Sequence, residues 1–504
     1  MSGTRQWAVV GSENGIGHPS FVARFGVWDE RQTAAAEWVE ASLGDIDFVR
    51  VAFCDPHGLA RSKTVPAAVF RSVLRNGIDF SAGPFLFDTG HAVAVDFLGD
   101  SGLGIAELRG AGDFVLVPDP QTFQVLPGTE PRTAWVLGDE YLRDGTPHPL
   151  SSRQVLRRVC AAYACQNLAP VIGLEVEWYL TRLLGGKPGS EGNGFGQQGR
   201  PPSVEPVNAG YQFNLDGSYD SVAEVVDPLA VMLMGLGLPL RTMEHESGPG
   251  QIETTFAPLR AMDAADAMLL FRTRVKQECR RRGFHASFMT LPRLPGFDPS
   301  GWHLHQSVSS TKTGKNIFGA GGGSHDQISL QGESYVDGLL ASARELCLLS
   351  VPTVNGYRRL TADFTLAPTS VDWRFEDRSA MVRVVGVESS THAENRIAEP
   401  CANPYLAIAA QLDAGLAGIS SGLSAERSPD KPLPSSLADA LGSFSGSRTA
   451  ETLLGAPLKA CLTKLKASEV ARFATWRAEQ QASGAPMPAG QVTDWEQREY
   501  FDVF

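Results

Sequence analysis

The sequence predicts an α+β protein with a small β-rich N-terminal domain followed by a large mixed domain. Two observations favour this class: extended apolar runs separated by turn residues dominate residues 48–120, and helix-like and strand-like segments alternate further on. The 504 residues, 43% hydrophobic and 20% charged, are too many for one small module and suit a large buried core.

The N-terminal domain is predicted at residues 36–145, behind an N-terminal extension at residues 1–35 that has no clear period. Its elements are, in order, a helix at 33–43, a strand at 48–53, a turn at 55–58, a second extended run that ends at 65, and a strand at 114–117.

The second domain is predicted at residues 146–504. Turn and capping residues at 147–153 lead into an apparent helix at 154–166, which places the boundary near residue 145. Glycine, proline and polar residues predict loops at 185–202, 319–324 and 420–436.

Charge and cysteine content exclude several classes of protein. A formal net charge of -12 offers no general attraction for nucleic acid or anionic lipid. The seven cysteines are scattered and form no CxxC pair, which argues against a disulfide framework or a zinc knuckle. Neither a signal peptide nor an apolar run of membrane-spanning length is evident, so a cytoplasmic location is expected.

Polar residues two positions apart interrupt several apolar, strand-like segments. In a strand, both members of such a pair lie on one face. The pairs are Glu175 with Glu177, His303 with His305, and Glu394 with Arg396; Glu244, Glu246 and Glu253 add acids around a glycine-rich turn.

These acids together predict a divalent metal site. Buried carboxylates without a partner cost several kcal/mol, and a dication compensates them directly. Carboxylates with one or two imidazoles and no thiolate suit Mg²⁺ or Mn²⁺. Any single pair is more often a solvated edge or a satisfied salt bridge, and it is the four clusters together that favour a metal.

Four arginines lie downstream of these acids, namely Arg359, Arg378, Arg383 and Arg396. Guanidinium groups bind carboxylates and phosphoryl oxygens, so arginines near a carboxylate-held metal suggest phosphoryl transfer from a metal–nucleotide complex.

The motifs resemble, in order, those of the glutamine synthetase family over almost the whole chain from about residue 45. They are VRVAFCDPHGLARSKTVPA (49–67), GLEVEW (173–178), ESGPGQIE (246–253), SGWHLHQS (300–307), NGYRRL (355–360), DRSAMVRV (377–384) and RIAEPCANPYLAIAA (396–410). The resemblance implies a β-grasp N-terminal domain and a catalytic domain built on a curved antiparallel sheet with flanking helices.

The resemblance also implies roles for individual residues. Two or more Mg²⁺ or Mn²⁺ ions would be held, one by Glu177, Glu246 and Glu253 and another by Glu175, His303 and Glu394. ATP would lie near His305 and Ser307, with its phosphates near Arg378 and Arg383. Arg359 and Arg396, with the loop at Gly301, would hold glutamate and the transferred phosphoryl group, so that Arg359, Arg378 and Arg396 would be catalytic.

Two carboxylates that ammonia-using members of the family employ are missing. Ser81 stands where an aspartate is expected after Phe80, and Leu366 stands where a glutamate is expected, with Thr365 before it also not acidic. Asp79 or Asp88 is an alternative source of charge. The segment 84–87 supplies apolar walls or, equally, part of the core.

These departures favour an organic amine as the second substrate, because loss of acids makes a pocket worse for a small cation. We therefore expect an ATP-dependent ligase that joins the γ-carboxylate of L-glutamate to an aniline-like amine or alkylamine through a γ-glutamyl phosphate. Such chemistry resembles that of the family members that make γ-glutamyl amides, such as γ-glutamylanilide synthases.

Several alternatives remain open at this point. They are an ammonia-using glutamine synthetase, a γ-glutamylpolyamine or ethanolamine ligase, and an inactive scaffold. A GxSxG pattern at 418–422 follows a helical run instead of a strand, which argues against a serine hydrolase. The resemblance further implies a homododecamer of two stacked hexamers with active sites between subunits, and no nucleic-acid or membrane partner.

Overall fold

Two large β-sheets, one two-stranded sheet and the helices packed on them form the part of the chain that the structure describes. The computed structural model describes residues 19–185, 194–321, 323, 327–361, 366–422, 431–486 and 490–504.

The helices are α1 (Phe21–Phe25), α2 (Glu30–Ser42), α3 (Ala67–Asn76), α4 (Ser152–Cys165), α5 (Asp216–Gly235), α6 (Ala261–Arg281), α7 (Leu330–Ser350), α8 (Pro404–Ser421), α9 (Leu437–Ser445), α10 (Arg448–Leu454), α11 (Ala456–Ala482) and α12 (Asp494–Tyr500). The strands are β1 (Phe48–Cys54), β2 (Ala60–Pro66), β3 (Ile78–Ser81), β4 (Asp113–Pro118), β5 (Gln124–Val125), β6 (Thr133–Tyr141), β7 (Leu168–Leu183), β8 (Val204–Pro206), β9 (Leu240–His245), β10 (Gln251–Phe256), β11 (Leu259–Arg260), β12 (Phe284–Ser287), β13 (Trp302–Ser310), β14 (Ser370–Val371), β15 (Trp373–Phe375), β16 (Val382–Val385), β17 (His392–Asn395) and β18 (Lys431–Pro432).

The smaller sheet has the strand order β2-β1-β6-β4-β3, with β5 paired to β6. β1 runs parallel to β6 and antiparallel to β2, and α3 connects β2 to β3. Helix α3 buries Phe70, Val73 and Leu74 at i, i+3 and i+4 spacing. The strands predicted at 48–53, up to 65 and at 114–117 are therefore present, within one residue of their predicted ends, and the α+β prediction is confirmed.

The N-terminal segment differs from its prediction as a featureless extension. The helix expected from residue 33 begins at Glu30, because the Asp29 side chain accepts from the Gln32 backbone N–H and caps it. Before it, Phe21 and Trp28 pack against Val115 and neighbouring residues of the smaller sheet. Residues 1–18 lie outside the described residues.

The larger sheet has ten strands, with the central path β15-β16-β17-β13-β7-β10-β9. Its long strand β7 pairs antiparallel with both β13 and β10, and also with β8, β11 and β12. The prediction of a catalytic domain built on an antiparallel sheet with flanking helices is confirmed, with one parallel pair, β15 with β16, at the edge.

Helices α7 and α8 cross closely beside the large sheet. A Cβ added at Gly418 would lie 2.0 Å from the Ser334 carbonyl oxygen, so glycine is required at this crossing. Helix α8 continues through residues 418–421, and Gly422 ends it in the left-handed conformation. The GxSxG pattern is thus helical, which contradicts a serine-hydrolase elbow, and the loop expected from 420 begins only at Gly422.

Ion pairs at the start of α4 connect the smaller sheet to a helix that packs on the larger sheet. The buried Arg153 guanidinium contacts Asp119 and Asp139 beside the smaller sheet at 3.0 and 2.7 Å, and Asp266 on α6 at 2.8 Å. From α6, Arg272 donates to the Gly58 carbonyl in the β1–β2 turn at 2.7 Å. These contacts fix one sheet relative to the other.

No helix among the described residues combines the length and the apolarity that crossing a bilayer requires.

Candidate active site

A large cavity of about 1320 Å³ opens on one face of the ten-stranded sheet. Side chains from β7, β9, β10 and β13 line it, together with loops that follow β10, β12 and α7. Most of the residues predicted to carry chemistry lie in its wall, namely Glu175, Glu177, Glu246, Glu253, His303, His305, Ser307, Arg359, Leu366, Arg378 and Arg396.

Strand register explains why the acids converge. Glu253 on β10 lies opposite Glu177 on β7 and, on its other side, opposite Glu244 on β9. Glu175 on β7 lies opposite His303 on β13. Directly opposite residues of neighbouring strands point to the same face, so these side chains meet in the cavity.

Glu175 is the centre of the cluster. Its carboxylate lies 2.5 Å from His303 Nδ1 and 3.0 Å from His305 Nε2. Ligand atoms of Glu175, Glu253 and His303 lie within 4.8 Å of one another, as do those of Glu175, His305 and Glu394. These groups differ from the two predicted ligand sets. The first combines Glu253 of one set with Glu175 and His303 of the other, and the second includes His305, which was expected near the nucleotide.

The electrostatics of the cluster suit a cation. Burial and the neighbouring acids raise the pKa of Glu246 to about 8 and that of Glu253 to about 10. Burial opposes ionisation of Glu175 too, but its contacts with His303 and His305 keep its pKa below the usual value. A set of carboxylates and imidazoles without thiolate is chemically matched to Mg²⁺ or Mn²⁺.

Two buried arginines also line the cavity. Arg359 donates to the Arg396 carbonyl at 2.9 Å and lies 3.2 Å from His303 Nε2; burial lowers its pKa to about 10. Arg396 forms an ion pair with Glu394, so the two side chains lie on one face, as predicted. They do so although β17 ends at Asn395, one residue before Arg396. Glu394 is almost fully buried behind the wall.

Gly301 lies behind these groups and leaves no room for a side chain. Its N–H donates to Glu177 at 2.9 Å, and a Cβ on it would lie 2.6 Å from Arg359 Nη2 and 3.0 Å from His303 Nε2. The glycine therefore allows an arginine, an imidazole and a carboxylate to approach one another.

The sequence of the larger domain matches a known protein family. Residues 149–483 match the family described as "Glutamine synthetase, catalytic domain". The chain belongs to the glutamine synthetase family.

Family relatives cover nearly the whole chain. A gamma-glutamylanilide synthase from Acinetobacter sp is 36% identical over 96% of this chain and 99% of its own length. A glutamine synthetase from Methanosarcina mazei is 29% identical over 82% of this chain and 88% of its own. Among solved structures, a GmaS/ADP complex superposes with a TM-score of 0.71 at 25% identity, covering 92% of this chain and 98% of that one.

Besides Gly301 and Glu394, which lie behind the wall, two site residues predicted from the family resemblance do not line the cavity. Ser81 is exposed at the end of β3, where its hydroxyl donates to the Ala111 carbonyl at 3.3 Å. Arg383 contacts Glu376 at 2.6 Å and Glu394 at 3.1 Å, so it reaches the site only through Glu394. Arg378 does line the cavity, and Thr365 lies outside the described residues.

Asp79 and Asp88, the two alternative sources of charge, are paired with arginines, and part of the apolar segment 84–87 is in the core. Asp88 is buried and holds Arg472 at 2.8 Å, and Asp79 faces Arg143 at 3.5 Å. Phe85 is fully buried and stacks on His148, so it belongs to the core.

Asp298 and His392 line the cavity but received no role in the predictions, and Glu244 was included only among the acids of the predicted metal site. Glu244, Asp298 and His392 stood in or beside the quoted motifs, and their charge and chemistry were the available signal. Phe213 and Asn214 lie in an irregular segment before α5, which carried no period or motif that predicts a position in the site.

Proposed function

We propose that this protein is an ATP-dependent ligase that joins the γ-carboxylate of L-glutamate to an organic amine, an aniline-like amine or alkylamine, through a γ-glutamyl phosphate. One observation carries the proposal: the cavity that gathers the acids and arginines of a glutamine synthetase has Leu366, with its side chain 54% exposed, where an ammonium-binding glutamate is expected. The 36% identity to a gamma-glutamylanilide synthase supports it.

The two substrates of the first step would occupy opposite ends of the cavity. Phe256, Ser307 and Asn316 line the end beyond Glu175, and hydroxyl, amide and aromatic groups there suit a nucleoside. Arg359 lines the other end beside Gly301, where a guanidinium suits the carboxylates of glutamate. The acids between these two ends would hold the metal ions that neutralise charge on the transferred phosphoryl group.

The reaction would proceed in two steps. The γ-carboxylate oxygen of glutamate attacks the γ-phosphorus of ATP, and ADP leaves; the amine nitrogen then attacks the γ-carbonyl carbon, phosphate leaves, and the nitrogen loses a proton. Mg²⁺ or Mn²⁺ ions, held by Glu175, Glu177, Glu246, Glu253, His303 and Glu394, would neutralise charge on the phosphoryl oxygens. Arg359, Arg378 and Arg396 would bind the carboxylate and phosphoryl oxygens.

A cationic second substrate is the other candidate, and it is favoured by two acids that line the cavity. Glu244 and Asp298 both line it, and the family resemblance assigns neither of them to a metal. Either carboxylate would suit ammonium, and the 29% identity to a glutamine synthetase fits that reaction. A γ-glutamylpolyamine or ethanolamine ligase would use the same acids.

Release of ADP across a panel of amines decides between these candidates. With ATP, Mg²⁺ and glutamate, we expect aniline or isopropylamine to give a higher kcat/KM than ammonia, ethanolamine or a diamine. A clear preference for ammonia would overturn the proposal. An absence of turnover with every amine, in protein that still binds ATP, would indicate the inactive scaffold.

Leu366 gives a more direct test of specificity. The Leu366→Glu variant adds a carboxylate to an exposed position in the cavity wall, so we expect its ratio of kcat/KM for ammonia to that for aniline to rise by about tenfold or more. Leu366→Met is the matched control, because it keeps an apolar side chain. An unchanged ratio in Leu366→Glu would show that this residue does not face the amine.

The assembly and the division of the chain are proposed on the same family grounds. A homododecamer of two stacked hexamers would let Ser81, which is exposed and does not line its own cavity, serve the site of a neighbour. The division into 1–35, 36–145 and 146–504, and a cytoplasmic location, remain predictions. Molar mass from light scattering tests the assembly, and a mass of one chain in active protein would contradict it.

A further inference from the structure

An irregular segment, residues 208–215, runs along the turn that carries Glu246. Asn208 accepts from the Gly250 N–H at 2.9 Å, Tyr211 donates its N–H to the Ser247 carbonyl at 2.8 Å, and Asn214 donates its N–H to the His245 carbonyl at 3.0 Å. The segment is therefore attached to the β9–β10 turn at both of its ends and in its middle.

Asn214 fixes the last part of this segment. It adopts the left-handed conformation, with φ of 53°, and its side-chain amide donates to Glu244 Oε2 at 3.1 Å. Asparagine tolerates this conformation better than most residues. The hydrogen bond ties the segment to the acid that lies opposite Glu253 in the cavity wall.

Phe213 directly precedes Asn214, which forms this hydrogen bond, and it lines the cavity. Its side chain lines the cavity wall and is 63% exposed. Among the described residues, Phe213 and Leu366 are the large hydrophobic side chains that are both exposed and part of this wall. Exposed apolar surface inside a cavity favours a ligand with an apolar group of its own.

The position of Phe213 along the β9–β10 hairpin indicates which substrate it would meet. Its neighbour Asn214 is bonded at the turn end, to His245 and Glu244, whereas Phe256 lies at the opposite end of β10 with the groups proposed for the nucleoside. Phe213 thus belongs to the end of the cavity proposed for glutamate and the amine.

We propose that Phe213 is a specificity-determining residue that packs against the ring of an aromatic amine, and that Asn214 and Glu244 are positioning residues for it. The inference rests on the proposed function and narrows its substrate class to primary aromatic amines. An aromatic ring gains packing and edge or face contacts against Phe213, and a weakly basic aryl nitrogen needs no carboxylate to bind it.

The test of Phe213 compares steady-state constants for aniline, ammonia, glutamate and ATP in the same protein. In Phe213→Ala we expect the KM for aniline to rise by about tenfold, while the KM values for glutamate and ATP stay within about twofold. Phe213→Tyr, which keeps the ring, should restore the KM for aniline. Leu215→Ala is the matched control, because Leu215 is 47% exposed in the same segment and does not line the cavity.

The outcomes for the two proposals are separate. A wild-type protein that prefers ammonia contradicts the proposed function itself. A wild-type protein that uses aniline, together with an unchanged KM for aniline in Phe213→Ala, overturns the role of Phe213 alone. A rise in the KM for ATP instead of that for aniline would assign Phe213 to the nucleotide and would also overturn it.

The positioning role has its own pair of variants. Asn214→Gly keeps the left-handed backbone and removes the amide, and Glu244→Ala removes its acceptor; both should raise the KM for aniline by about threefold to tenfold. Glu244→Gln keeps an oxygen that accepts from Asn214 and should restore it. If Glu244→Gln instead leaves the KM for aniline as high as in Glu244→Ala and also raises the KM for ammonia or a diamine, Glu244 binds a cation. That result would overturn its positioning role.

Discussion

At the scale of single residues, the acidic side chains of the cavity hold their positions at an electrostatic cost that a cation relieves. Glu253 lies between Glu177 and Glu244 on neighbouring strands, and burial together with these acids raises its pKa to about 10. Like charges directly opposite each other destabilise a sheet. This arrangement is more easily explained by a bound dication than by the stability of the fold.

Removal of one of these acids should weaken metal binding without harming the fold. In Glu253→Gln we expect an affinity for Mg²⁺ about tenfold to a hundredfold lower, because a carboxamide offers a neutral oxygen in place of a charged one. The rise in melting temperature on adding Mg²⁺ measures this, since a ligand bound to the folded state stabilises it. Glu205→Gln is the control, on a half-exposed acid paired with Arg182 at 3.8 Å. Equal shifts in both variants would contradict the site.

Gly301 allows a sharper test of the same wall. A Cβ in Gly301→Ala would meet Arg359 Nη2 at 2.6 Å and His303 Nε2 at 3.0 Å, so both groups must move. We expect kcat/KM to fall by about a hundredfold, since displacement by about 1 Å is enough for that loss. Gly442→Ala, in α9, is the control, because its Cβ would meet no atom within 4 Å. Normal activity in Gly301→Ala would mean that Arg359 and His303 do not act in their present positions.

At the scale of elements, regular strands and helices were predictable and irregular segments were not. Period-2 alternation places Glu175 and Glu177 on one face of β7, and this needs no tertiary information. The helix predicted at 154–166 is present as Ser152–Cys165 for the same kind of reason. Phe213 is different, because hydrogen bonds to a turn that lies about 35 residues further along the chain fix its position, and such contacts leave no period in the sequence.

Charge partners were the other part that sequence could not supply. Glu394 was predicted to be a metal ligand that shares a face with Arg396, yet its carboxylate is also paired with Arg383, which only the packing of β16 beside β17 brings close. Asp88 was an alternative for a missing ammonium-site acid, but it holds Arg472 on α11. Which acid is free for a ligand depends on pairs formed between distant segments.

Helix α12 supports the arginine turn at the base of the cavity. Glu496 is buried, caps its own helix together with Thr493, and accepts hydrogen bonds from Arg358 Nε and Nη2, each at 2.9 Å. Asn355 donates to the same carboxylate at 3.2 Å, so the turn that precedes Arg359 is attached to α12.

Loss of this attachment should affect both stability and glutamate binding. In Glu496→Ala we expect unfolding in urea to show a loss of about 3 kcal/mol, because the half-buried Arg358 guanidinium and the buried Asn355 amide both lose the carboxylate that accepts from them. The KM for glutamate should also rise, since Arg359 follows Arg358 directly. Glu451→Ala is the control: its carboxylate is 56% exposed and paired with Lys459, and such pairs contribute about 1 kcal/mol or less. Similar losses in both variants would contradict the supporting role of α12.

At the scale of the whole molecule, the junction between the two sheets contains a buried acid that is not fully paired. Glu140, near the end of β6, accepts from the Ser151 hydroxyl at the start of α4, while its other oxygen is buried without a partner. Burial raises the pKa of this carboxyl to about 7, with a smaller contribution from Asp139. The junction therefore prefers Glu140 in its neutral form.

The stability of the protein should depend on pH through this residue. A carboxyl whose pKa is raised on folding, from its ordinary value of 4.5 to about 7, stabilises the folded state fully below the lower value. That contribution is lost as pH rises through 7, by up to about 3 kcal/mol. Glu140→Gln is neutral at every pH, so its stability relative to the wild type should rise by about 2 kcal/mol between pH 5 and pH 8. Urea denaturation at each pH measures this difference, and curves that stay parallel would mean that Glu140 is already charged, and tolerated, inside the fold.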